Sequence, residues 1–74
     1  MFRLRDLKNG TYQIHKSNGP AYEGTPLSIF NEAVKMGVNQ RELLQAVHIL
    51  TKSNHDYADF NDYGRLTKTK RNGE

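Results

Sequence analysis

Twenty residues constrain this chain more than any others: Ile29 to His48, IFNEAVKMGVNQRELLQAVH. The segment reads as two short helices meeting at Gly37, with the small Ala33 four positions before the glycine and the aliphatic Leu43 six positions after it. A tight turn between helices needs a residue tolerant of positive φ, which glycine supplies without a Cβ clash. A close approach of the two helices needs a small side chain, and Met36, Val38, Ala46 and Val47 fill the apolar positions around the seam.

The flanks sharpen the boundaries. Thr25-Pro26 is a helix start, the hydroxyl capping and the proline occupying the first position, where no donor is needed. The spacing predicts a helix over 26–36, with Leu27, Phe30, Ala33 and Val34 as its apolar positions and Ile29 as a secondary one, ended by Gly37. Asn39 with Glu42 three residues on has capping-box spacing, and Leu43, Ala46, Val47 and Leu50 repeat at helical period, predicting a helix over 39–54.

Before the helices, 2–16 reads as a β-hairpin. A three-residue Lys8-Asn9-Gly10 loop pairs Leu4 with Ile14 and Asp6 with Tyr12, with the positive φ angles expected at Asn9 and Gly10. That register places Phe2, Leu4, Tyr12 and Ile14 on one face and Arg3, Arg5, Gln13 and His15 on the other. Residues 17–24 read as a connector in which Tyr22 anchors to the core. Residues 57–63 read as a short helix or turn stopped by Gly64, and 67–74, with nothing apolar, as a flexible basic tail. The expected fold is therefore α+β: one small domain over 1–66, with an N-terminal β-hairpin packed on a helix-turn-helix pair, a short third helix or turn, and a disordered basic C-terminal tail.

The chain has 74 residues, which allows one domain at most, and a domain this small buries only about 60% of its unfolded surface. Homodimerisation is a natural remedy for so thin a margin. No apolar run is long enough to span a bilayer, and the N-terminus, charged from Arg3, does not read as a secretory leader. With no cysteine there is neither a disulfide framework nor a thiolate zinc site, which fits a cytoplasmic protein. The net charge of +3 and pI near 9.4 allow nucleic acid as a partner without requiring it. Basic residues cluster at Arg3, Arg5 and Lys8 and again at Arg65, Lys68, Lys70 and Arg71, with an acidic patch of Asp56, Asp59 and Asp62 between.

Catalysis is not expected. No Ser/His/Asp set, phosphate-binding glycine loop or dinucleotide fingerprint is present, and the three histidines lie far apart in sequence. His55 and Asp59 are one helical turn apart, but the Asp56-Asp59-Asp62 spacing is not that of a calcium loop, so neither metal nor cofactor is expected.

The helix-glycine-helix pattern carried by Ala33, Gly37 and Leu43 resembles the helix-turn-helix of small phage repressors of the Cro type. The resemblance implies a DNA-binding regulator of transcription, dimeric, whose second helix docks in the major groove of double-stranded DNA. Carried over by position, base and phosphate contacts fall on Asn39, Gln40, Arg41, Leu44, Gln45 and His48. Gln and Asn can pair with adenine and Arg with guanine, while Leu44 can meet a thymine methyl. Thr25 and Ser28 would hold the backbone, and Arg3, Arg5, Lys68, Lys70 and Arg71 would supply phosphate attraction. An ordinary helical hairpin, with Gly37 only a C-cap, explains the same pattern. In that case the leading role is a protein-binding module, such as a phage-encoded factor that modulates a host protein through the Tyr57–Tyr63 aromatic-acidic patch. A third alternative is RNA binding through the hairpin's basic face and its tyrosine.

Overall fold

The computed structural model describes residues 1–73. Strands β1 (Phe2–Asp6), β2 (Tyr12–Lys16) and β3 (Ala21–Gly24) are followed by helices α1 (Pro26–Met36) and α2 (Gln40–Lys52), then by β4 (Tyr57–Phe60) and β5 (Leu66–Lys70). The strands form one antiparallel sheet in the order β3-β2-β1-β4-β5, so the fold is α+β.

The hairpin register follows from its apolar alternation: Leu4 faces Ile14 and Asp6 faces Tyr12. The loop differs in detail. Its left-handed residues are Lys8 (φ 60°) and Gly10 (φ 89°). Asn9 instead works through its side chain, whose Oδ1 accepts from the Thr11 backbone N–H at 3.0 Å. The strain at Lys8 is offset by its own N–H donating to Asp6 Oδ1 at 2.9 Å and its ammonium donating to the His55 carbonyl at 2.9 Å.

Three segments depart from expectation. Residues 21–24 are an edge strand on β2, and Tyr22 is 43% exposed rather than a core anchor. Residues 57–60, expected as a short helix or turn, are β4, paired with β1 so that Leu4 opposes Ala58 and Phe2 opposes Phe60. The spacing of Tyr57, Phe60 and Tyr63 imitates a helical period. The operative period is two: Ala58 and Phe60 enter the core while Tyr57 and Asp59 take the other face. Finally, 66–70, expected within a flexible tail from 67, is β5, an edge strand on β4 with a bulge between Asp59 and Phe60. Its Thr-Lys alternation suits an edge, where threonine has good strand propensity and lysine deters pairing with other chains.

Both helices cover one face of the sheet. α1 rests on β2 and β3, and α2 on β5 and β4, so each occupies a different half. The core joins Phe2, Leu4, Tyr12, Ile14, Ala58 and Phe60 from the sheet to Ile29, Ala33, Val38, Leu43, Ala46 and Leu50. Of the apolar positions of α1, Leu27 and Val34 are 71% and 42% exposed, because the helix turns Ile29 and Ala33 to the sheet. α2 ends at Lys52 rather than at 54, since Asn54 is left-handed (φ 54°).

Tyr12 is buried, with its ring edge-on to Phe30 at 5.2 Å between centroids. Burial pushes its phenol above the ordinary value of 10.0. A phenol whose pKa is raised on folding stabilises the fold fully below the unfolded-state pKa and loses that contribution as pH rises through the folded value. Urea denaturation from pH 8 to 11.5 should therefore show stability falling above about pH 10, and Tyr12→Phe should remove part of that fall.

Candidate nucleic-acid interface

Gly37 breaks the chain between the helices. It adopts φ 116°, and its N–H reaches the carbonyls of Ala33 and Val34, closing α1. Asn39 then opens α2, its Oδ1 accepting from the Glu42 N–H at 3.1 Å. The reciprocal half of a capping box is absent. The Asn39 N–H donates to the Gly64 carbonyl at 2.9 Å, and the Glu42 carboxylate turns to β5, accepting from the Leu66 N–H at 2.9 Å and pairing with Arg65.

This arrangement decides what α2 presents to solvent. Leu43, Ala46 and Leu50 face the sheet, so Gln40, Arg41, Leu44, Gln45 and His48 point away from it, all exposed. Asn39, at the helix start, is exposed as well. Because Glu42 is occupied by β5, none of the outward residues from 39 to 48 is an unpaired carboxylate. Two shallow concavities adjoin this surface. One is lined by Asn39, Gln40, Arg41, Glu42, Leu44, Gln45 and Arg65, the other by Arg41, Leu44, Gln45, His48 and Ile49. Arg65 was not foreseen here. The turn after β4 and the pair with Glu42 bring its guanidinium to the start of α2, a placement that no local pattern in the sequence announces.

The other expected contacts are not brought to α2. Arg3 and Arg5 lie on the sheet face opposite the helices, as do Lys68 and Lys70 by their register opposite Asp59 and Tyr57. With the body measuring 25 × 23 × 23 Å, these cations and the outward side of α2 face opposite ways, so one straight duplex cannot engage both. Arg71 donates to the Ser53 carbonyl at 3.2 Å, beside the end of α2. Thr25 and Ser28 cap α1 through each other: Ser28 N–H donates to Thr25 Oγ1 at 3.4 Å, and Ser28 Oγ to the Thr25 carbonyl at 3.1 Å.

The acidic patch is dispersed. Asp56 accepts from the Asn72 N–H at 2.7 Å. Asp59 is 1% exposed and takes a bidentate grip from Arg3, with Nε at 2.6 Å and Nη2 at 2.8 Å. That hydrogen bonding holds the Arg3 guanidinium still more firmly protonated. Asp62 pairs with the N-terminal ammonium, which keeps its carboxyl below the usual range. Tyr57 lies under Arg3 while Tyr63 is 87% exposed, so 57–63 forms no single aromatic-acidic surface.

Compared with protein-family models, curated proteins and solved structures, the chain matches none. Among the described residues, no helix is long and apolar enough to cross a membrane.

Proposed function

We propose that this chain is a small sequence-selective DNA-binding regulator that inserts the outward side of α2 into the major groove. The observation carrying this reading is the composition of that side: amides, a guanidinium, an imidazole and one aliphatic, with the neighbouring carboxylate of Glu42 occupied elsewhere. Gln40, Arg41 and Gln45 read base edges, Leu44 meets thymine methyls, and Asn39, His48 and Arg65 approach phosphates. The resemblance of 29–48 to the Cro type supports the same docking. The binding form is a homodimer acting in the cytoplasm, the second α2 reaching a half-site one helical turn away.

Affinity for duplex should fall steeply with salt. Arg41→Ala should cost about 1–3 kcal/mol on the preferred site and narrow the gap between preferred and random sequences. Anisotropy titrations at two salt concentrations check this. Equal weakening on all sequences would remove Arg41 from base reading. Absence of duplex binding at moderate salt would overturn the proposal.

One observation favours a second reading. Leu44, 60% exposed at the centre of the surface, also suits a protein partner seated on α2. That module reading predicts no duplex binding and a partner lost on Leu44→Ser.

A further inference from the structure

The sheet face that carries no helix has its own composition. Its side chains fall in two rows across the strands: Glu23, Gln13, Arg5, Tyr57 and Lys70 in one, Ala21, His15, Arg3, Asp59 and Lys68 in the other. The four cations outnumber the two acids. Asp59 is buried beneath Arg3 with Lys68 at 3.8 Å, and Glu23 lies on the β3 side, so the charge offered around Tyr57 is positive. The Tyr57 ring carries Arg3 at 4.2 Å and Arg5 at 5.6 Å from its centroid. Planar groups therefore stack at the middle of the face, flanked by lysines on the edge strand.

We infer that this open face binds a single-stranded polynucleotide, with bases stacking on the Arg3–Arg5–Tyr57 cluster and phosphates running past Lys68 and Lys70. The complementarity is both of charge and of shape. Single strands are held by cationic surfaces that also offer aromatic or guanidinium planes to unpaired bases. A sheet face of five strands, about 19 Å across, is too broad to enter a duplex groove as a helix does. An acidic peptide would use the cations and leave the planar cluster idle.

The inference stands independently of duplex binding by α2. It is tested by fluorescence anisotropy with labelled oligothymidine and oligouridine of about 12 nucleotides, with polyglutamate as competitor. Binding of either strand should show a log–log salt slope near −2 if Arg5, Lys68 and Lys70 each neutralise one phosphate. A preference between the two strands assigns DNA or RNA. The double variant Arg5→Gln/Lys70→Gln should weaken binding at least about tenfold, the loss expected for stacking and phosphate contacts removed together. Arg41→Ala/Gln45→Ala should leave it unchanged. Amide shifts in the unmodified protein, read at 3, 5, 13, 15, 57, 68 and 70, give the same answer without a substitution. No binding at low salt, equal loss in the α2 variant, shifts confined to other residues, or displacement by polyglutamate at matched charge would each overturn it.

Discussion

Gly64→Ala is expected to leave the chain largely unfolded. Gly64 is buried at φ 79°, in the turn between β4 and β5. A Cβ there would stand 2.1 Å from the Gly37 carbonyl oxygen, 2.8 Å from the Asn39 nitrogen and 3.0 Å from Val38 Cα. All three are backbone atoms of the helix junction, so no side-chain rotation relieves the overlap. Moving the turn away breaks the hydrogen bond from Asn39 N–H to the Gly64 carbonyl and loosens the start of α2. The left-handed conformation adds about 1 kcal/mol or more for any residue with a Cβ. The combined cost should exceed about 5 kcal/mol, which is all that a domain this small has to lose. Gly10→Ala is the control: it shares the left-handed backbone (φ 89°) but has nothing within 4 Å, so it should cost only the conformational part. Urea denaturation followed by circular dichroism separates them. A Gly64→Ala protein within about 1 kcal/mol of the parent would show that the turn does not lock the junction as described.

Ending the chain after Arg65 should have an effect nearly as large. Were 67–74 a loose tail, this truncation would cost only what Leu66 contributes through its packing and its N–H, and the fold would survive it. β5 instead pairs along β4, seats α2, packs Leu66 against the core and supplies the N–H that Glu42 accepts. Its far end binds as well, the Lys70 carbonyl accepting from Asp56 N–H at 2.8 Å and Thr69 Oγ1 lying 2.8 Å from His55 Nδ1. Without β5 the β4 ladder has an open edge and α2 loses its support. The truncated chain should show no cooperative thermal transition and a collapsed amide spectrum. A native-like spectrum would return these residues to the status of a tail.

These two cases mark where the sequence is legible. The α1–Gly37–α2 segment and the β1–β2 register rest on local signals: a cap, a turn glycine, a period of 3.6 or of 2. β4 and β5 rest on partners distant in sequence, such as Phe2 for Phe60. Tyr57, Phe60 and Tyr63 happen to space like a helix face, and β5 brings only Leu66 as an apolar residue. The candidate site divides in the same way. The outward residues of α2 follow from its buried stripe. That Arg3 and Arg5 share a wet face follows from the hairpin, but that this face lies opposite α2 depends on which side of the sheet the helices cover. The Arg3–Asp59 pair and the reach of Arg65 to Glu42 join residues 56 and 23 positions apart, and no local pattern reports such contacts.

The central claim is that the outward side of α2 is a surface for duplex DNA, separate from the open sheet face. An amide-shift titration of the intact protein with a random-sequence duplex tests it most directly. Shifts should concentrate at 39–48 and at Arg65, with 3, 5, 57, 68 and 70 undisturbed. A spectrum in which 39–48 stays silent while duplex is in excess, or in which the sheet residues move instead, would contradict it.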